Sequence, residues 1–307
     1  MTRPAPTATV AIFAHNEARR IDACLASLPL DRADLAFHLL VNGSTDATAA
    51  IARRVAARHP ALIVHDLRAG GKARTWNRFV HQILADPLPA TVIFMDGDAE
   101  IAPGSIDALA AATRDQAQVN AVAGLPLNGR SHGRYQAMLR ADGGLFGDLY
   151  ALRGRFLQRI REDGLRLPMD LIGDDGLIAA WAATDLGTDA DWDRARLGHA
   201  DAAGFLCEPV SALSPRSWRL QYRRMIAYAV RHFQNRIVSH IMRAQGPAGL
   251  PERLATLYPD WLPRLAPRPG PVNGCFDRLA LRRMARAARS AGGEETPAGG
   301  RPPSRSN

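Results

Sequence analysis

The sequence predicts an α/β protein, a mainly parallel sheet sandwiched by helices with a basic helical extension behind it. Four short apolar runs, residues 9–14, 37–41, 61–65 and 91–95, read as strands buried on both faces. Segments of helical period separate them, and this alternation is the pattern of a parallel sheet covered on both sides. Polar residues follow the runs directly, so they gather along one edge of the sheet. Open α/β sheets bind nucleotides there, outside the carboxyl ends of the strands.

Taken in order, strand one runs into His15-Asn16-Glu17, and a helix through Ile21, Leu25 and Leu28 follows until Pro29 stops it. Strand two ends in Asn42-Gly43-Ser44-Thr45-Asp46. Ser44 or Thr45 stands where it would cap a helix over residues 47–58, with Asp46 and Thr48 near its positive end. After strand three, Gly70-Gly71-Lys72 opens a helix with Trp76, Phe79, Val80 and Ile83 at helical spacing. Strand four delivers Asp96-Gly97-Asp98. Beyond it the pattern gives a helix over 105–113, a fifth strand over 120–124 and a polar stretch, 125–145, read as a loop or broken helix beside the site. A strand-like run over 146–153 follows, then Gly173-Asp174-Asp175 leading into a helix through Leu177, Ile178 and Trp181, then a strand pair over 195–209.

Apolar residues at 218, 222, 225, 226, 229, 233, 237 and 241 mark one long amphipathic helix. A proline-rich stretch, a cationic helix over 276–288 and a Gly/Pro/Ser tail close the chain. The organisation read from this is a sheet domain over 1–211, a helical Arg-rich extension over 212–290 and a disordered tail over 291–307.

Charge is uneven. The net is +9, yet residues from 212 onward hold 17 arginines against five acids, and the earlier part is nearly neutral. Of 39 basic residues Lys72 alone is a lysine. In the last helix Arg282, Arg283, Arg286 and Arg289 share a face, while Phe276, Leu279 and Met284 lie on another, as in an anchor for an anionic membrane surface. No run of 18 apolar residues exists to span a bilayer, and the first ten residues lack the pattern of a secretory signal. Cys24, Cys207 and Cys275 lie far apart, so a reducing compartment is expected and a zinc ribbon is not. His132, His199, His232 and His240 show no metal spacing. The expected location is cytoplasmic, with peripheral contact at the inner face of the membrane.

Two carboxylates flanking a glycine at the end of a buried strand suit a hard divalent cation, Mg²⁺ or Mn²⁺. Alone, Asp96-Gly97-Asp98 reads equally as an Asp-Gly turn. Alone, Asp174-Asp175 reads as a helix start with acids at its positive end. Their mutual repulsion would raise one of the two pKa values.

Five pieces in order resemble inverting glycosyltransferases of family 2, which have the GT-A fold. They are His15-Asn16-Glu17, the Asn42–Asp46 turn, Gly71-Lys72 with Asn77, Asp96-Gly97-Asp98, and Gly173-Asp174-Asp175, within a similarity covering roughly residues 8–225. The resemblance implies metal-dependent transfer, with inversion, from a nucleoside-diphosphate sugar to a hydroxyl of a saccharide or lipid-linked acceptor. It implies that Asn16, Glu17 and Asn42 meet the base and ribose, and that Lys72 and Asn77 lie at the base and phosphate side. Asp96 would sit by the ribose and metal, and Asp98 would ligate the cation. Asp175 would be the catalytic base with Asp174 as support. Gln221 and Arg224 resemble a Gln-x-x-Arg-Trp element facing acceptor and diphosphate, but Met225 replaces its tryptophan. Val41 stands where the family usually has a base-reading aspartate. With no flanking membrane helices, a processive synthase is not expected, nor is a nucleic-acid partner. Two rivals are a nucleotidyltransferase of the nucleotide-sugar pyrophosphorylase type and a non-catalytic anionic-surface binder. The first would carry a glycine- and Lys/Arg-rich phosphate loop after strand one, where this chain has His15-Asn16-Glu17-Ala18-Arg19.

Overall fold

In the computed structural model, which describes residues 6–207 and 215–293, the apolar runs form β1 (Ala8–Ala14), β2 (Leu35–Asn42), β3 (Leu62–Leu67) and β4 (Thr91–Asp96). The remaining strands are β5 (Glu100–Ile101), β6 (Ala121–Pro126), β7 (Leu149–Arg153) and β8 (Leu197–Leu206). All eight join one sheet in the order β3-β2-β1-β4-β7-β6-β8-β5.

The β3-β2-β1-β4 half is wholly parallel, as the alternation requires. The other half is mixed. Strand β7 runs antiparallel to both β4 and β6, β8 runs parallel to β6, and β5 is antiparallel to β8. The strand pair expected over 195–209 is instead the single β8, and Pro209 lies outside the described residues. A register shift against β6 between Ala123 and Leu125 leaves Asp201 and Ala202 exposed at mid-strand. That bulge has the polarity of a turn.

Helices α1 (Ile21–Ala26), α2 (Thr48–Ala56), α3 (Lys72–Arg78), α4 (Ser105–Asp115), α5 (His132–Asp142), α6 (Gly154–Glu162) and α7 (Asp174–Ala183) connect the strands. Side chains on each strand alternate between two cores. Val10, Ile12, Ile93 and Met95 meet α1, α2 and α4, whereas Ala11, Phe13, Val92 and Phe94 meet α3, α6 and α7. Under the second face Phe94 stacks on Tyr150 with ring centres 5.0 Å apart, and Trp76 and Phe79 close around it at 6.0 Å. Helix α3 continues as a π-helical turn over Phe79–Ile83. Helix α2 is capped by neither Ser44 nor Thr45. Asp46 Oδ1 accepts from the Thr48 N–H at 3.0 Å, the shorter reach to the first turn.

The extension supplies α8 (Pro215–Gln245), α9 (Tyr258–Trp261) and α10 (Pro271–Gly293). The periodicity of α8 holds only for its second half, where Ala229, Phe233, Ile237 and Ile241 are buried. Trp218 is 68% exposed and Tyr222 50%, the latter edge-on against Phe276 of α10 with ring centres 5.6 Å apart. Helix α10 packs along α8 with Ala280 and Met284 fully buried and Phe276 against the same core. Of the apolar residues read as a membrane anchor, Phe276 and Met284 are thus packed into the protein and Leu279 is half-buried, while Arg282, Arg283, Arg286 and Arg289 remain outside. The boundary near 211 and residues 294–307 lie outside the described residues, while α10 continues through 293. Among the described residues no helix is long and apolar enough to cross a membrane.

On β2 and β3, His38 Nδ1 and His65 Nε2 share a hydrogen bond of 3.0 Å, with the rings stacked. Burial, with the neighbouring His65, lowers His38 to about 4; burial, with Arg78 adding, lowers His65. Both histidines are therefore favoured neutral in the folded state, so their contribution is complete above their ordinary pKa and is lost as pH falls. Urea unfolding should show wild type losing roughly 2–3 kcal/mol more than His38→Phe between about pH 7 and pH 4. Parallel pH profiles for the two proteins would contradict this.

Candidate functional site

The acidic turn after β4 is pinned to the end of β1. Phe13 and Asp96 are register partners, and the Gly97 N–H donates to the Phe13 carbonyl at 2.7 Å. A Cβ at Gly97 would stand 2.9 Å from Ala14 Cβ and 3.0 Å from Phe13 O, so the turn closes on β1 only with glycine there. The turn leaves Asp96 and Asp98 at the sheet edge. Asp148 joins them from the segment before β7. Because β7 is antiparallel, its amino end lies on the same edge as the carboxyl ends of β1 and β4.

One carboxylate oxygen from each of Asp96, Asp98 and Asp148 lies within 4.8 Å of the others. Three oxygen donors this close fit a hard divalent cation. The electrostatics agree: burial pushes Asp96 up to about 8, opposed by Lys72 and reinforced by Asp148 and Asp98. Burial also raises Asp148, with Asp98 adding, and the Cys207 thiol donates to Asp148 Oδ1 at 3.2 Å. Asp148 is absent from the residues the sequence singles out, since a lone Gly-Asp before a strand carries no spacing. Its only signal was the adjoining polar stretch 125–145, in which β6 ends at Pro126 and α5 takes up His132–Asp142. There Tyr135 packs edge-on against Phe146, two residues from Asp148.

Lys72, at the start of α3, reaches into this centre. Its ammonium is 2.5 Å from Asp96 Oδ1 and 3.9 Å from Asp174 Oδ2. Burial would lower its pKa, but the Asp174 and Asp96 charges outweigh that and hold it well above the ordinary lysine value. Asp174 opens α7 after Gly173, whose φ of +89° is a left-handed conformation that suits glycine. Burial raises the Asp174 carboxyl, opposed by Lys72 and aided by Asp175. Burial, more than repulsion between the two carboxylates, sets that direction.

Asp175 faces a partner from α8: Arg231 Nη2 lies 3.1 Å from Asp175 Oδ1. The guanidinium lies against the bare backbone of Gly173 and Gly176, where an added Cβ would stand 2.3 Å and 3.1 Å from it. One arginine among the many on α8 could not be singled out by sequence. Gln221 and Arg224 lie earlier on that helix, and among the described residues neither forms a hydrogen bond or ion pair with the acidic residues.

On the β2 side the polar residues clamp loops together. Asn42, nearly buried, donates to the Ala14 carbonyl at 3.1 Å and accepts from the Gly71 N–H at 3.3 Å. Asn16, at φ +58°, accepts from the Thr45 N–H at 2.8 Å, while its own N–H donates to Ser44 Oγ. The Glu17 N–H donates to Thr48 Oγ1, and His15 Nδ1 lies 2.7 Å from the Asn42 carbonyl. Asn77 is drawn away from the cleft, its amide paired in both directions with the Leu167 backbone at 2.8 and 2.9 Å.

Residues 9–170 match the sequence profile of glycosyl transferase family 2. The chain belongs to this family. It is a glycosyltransferase of GT-A fold, and the turn after β1 accordingly holds His15-Asn16-Glu17 and no glycine-rich phosphate loop. Among solved structures it is similar to the mannosyltransferase PcManGT from Pyrobaculum calidifontis in complex with GDP-Man and Mn²⁺. That match has 22% identity and a TM-score of 0.56, covering 97% of this chain and 77% of that one. It is also similar to S. aureus TarS 1-349 in complex with UDP-GlcNAc, at 17% identity and a TM-score of 0.53, covering 92% and 81%. No curated protein sequence matches the chain.

The packing of Gly97 gives a stability test. Gly97→Ala forces rigid backbone and Ala14 apart, and should lower unfolding free energy in urea by about 1–3 kcal/mol. Unchanged stability would mean that the turn is not held against β1.

Proposed function

We propose that the glycosyltransferase moves a single sugar from a nucleoside-diphosphate sugar to an acceptor hydroxyl, with inversion and with Mg²⁺ or Mn²⁺ as cofactor. The observation that carries the reading is the meeting of two acidic groups at one edge of the sheet. Asp96, Asp98 and Asp148 form one, Asp174 and Asp175 the other, and Lys72 stands between them. PcManGT was solved with GDP-Man and Mn²⁺, and TarS with UDP-GlcNAc, which supports a donor of this class.

In this reading Asp98, Asp96 and Asp148 hold the cation, which when bound neutralises charge developing on the departing diphosphate. Asn16, Glu17 and Asn42 shape the base and ribose side. Asn42 does so by fixing the end of β1 against the Gly71 loop, and Asn77 acts further back by fixing the segment at Leu167. Asp175 takes the proton of the acceptor hydroxyl while Arg231 orients its carboxylate, leaving the other oxygen for the acceptor. Asp174 stays behind it, facing Lys72.

The acceptor enters along the first half of α8. Arg224 is seven residues before Arg231 and so shares its face, about 10 Å along the axis, with Gln221 a further turn out. Exposed Tyr228, close to that face, offers a flat apolar surface to a saccharide, and the neighbouring arginines offer cations to a phosphate-bearing lipid-linked acceptor.

A screen of UDP- and GDP-sugars with Mn²⁺, following nucleoside diphosphate release without acceptor, tests the reading. One donor should be hydrolysed slowly by wild type and not by Asp98→Ala. With acceptor present, Asp175→Asn should lose ~10²–10⁴-fold in turnover with little change in donor affinity. Full activity in either variant, or pyrophosphate release from a nucleoside triphosphate, would overturn it.

A further inference from the structure

Lys72, the sole lysine of the chain, lies between two carboxylates. It touches Asp96 at 2.5 Å and stands 3.9 Å from Asp174. On another side it rests against the loop that carries Asp148, since a Cβ at Gly147 would be 2.5 Å from its Nζ. The ring centre of Phe13 is 5.9 Å away. The ammonium therefore occupies one of the three carboxylates that a divalent cation would draw on.

A second observation concerns the place it could move to. Asp174 is buried, and its Oδ2 has no hydrogen-bond partner among the described residues. An orphaned buried carboxylate oxygen is costly. A swing of the ammonium away from Asp96 would supply the missing donor. Lysine suits such a swing: its charge is a compact point on a flexible stem with three rotatable donors, whereas an arginine fork is held by planar, paired contacts.

We propose that Lys72 is a resident counter-ion of the acidic centre that exchanges between Asp96 and Asp174. It holds Asp96 while the metal site is unfilled. It yields to a divalent cation when the donor's diphosphate offers the ammonium a further anionic partner beside Asp174. Metal and nucleotide consequently bind cooperatively, each tightening the other by the same factor. The inference rests on the metal reading above.

Titration calorimetry with Mn²⁺, alone and with saturating UDP or GDP, tests it on the full chain. Wild type should bind Mn²⁺ weakly alone and much more tightly with nucleotide. Lys72→Met should bind Mn²⁺ alone at least ~10-fold more tightly than wild type, because an ammonium beside the site opposes a second cation. The nucleotide effect should shrink accordingly. Lys72→Arg keeps the charge and should stay weak. Lys72→Gln, a polar replacement, repeats the test if the methionine variant does not fold. Equal or weaker Mn²⁺ affinity in a folded neutral variant overturns the exchange, while Mn²⁺ binding that still requires Asp98 leaves the metal reading standing. No Mn²⁺ binding by any form, with or without nucleotide, removes both.

Discussion

Carboxylates crowded at one sheet edge repel one another, and the rest of the site is arranged around that repulsion. Asp96, Asp98 and Asp148 bring oxygens within 4.8 Å, and Asp174 is buried beyond Lys72. At such spacing like charges cost kilocalories in a partly desolvated cleft. Two cations answer it, Lys72 from α3 and Arg231 from α8, each placed against glycine backbone where no side chain intervenes. Burial, with Asp148 and Asp98 adding, still holds Asp96 above the usual carboxylate range against the pull of Lys72.

Holding the cluster in place is the task of backbone geometry. The parallel β1–β4 pair sets Asp96 opposite Phe13, Gly97 lets the turn close on that strand, and the reversed direction of β7 brings Asp148 to the same edge. Both faces of these strands are packed by aromatic and aliphatic side chains, so the carboxylates stand on rigid elements. The neighbouring loops are tied by side-chain amides. Asn42 joins the end of β1 to the Gly71 loop from which Lys72 springs.

Much of this was legible in the sequence because buried parallel strands leave unbroken apolar runs, and the acids at their ends stand out against them. The runs behind β1, β2 and β4, the Asp96-Gly97-Asp98 turn and the Asp174-Asp175 helix start could all be read in that way. Asp148 could not, since its place depends on the antiparallel insertion of β7 between β4 and β6, which no local pattern announces. Arg231 was hidden among similar arginines on an amphipathic helix. The same periodicity overreached at Trp218, because a period of 3.6 marks a face but not how far it is covered. On α10 the apolar stripe was real, but α8 takes up Phe276 and Met284 of it, while the arginines stay exposed. Asn77 shows that a polar residue beside a motif can be committed to backbone pairing within the fold.

Helix α8 couples the two halves of the molecule. Its second half completes the core under α7, Arg231 engages Asp175, and its first half carries exposed aromatic and cationic side chains. Through Arg231, α8 is tied to the acidic start of α7. The most direct measurement of the whole account is anomalous diffraction from crystals grown with Mn²⁺ and a nucleoside diphosphate. The expected result is a single strong peak about 2.2 Å from oxygens of Asp98 and at least one of Asp96 and Asp148. A cleft that holds the nucleotide with no such peak, or with the peak away from all three carboxylates, would contradict it.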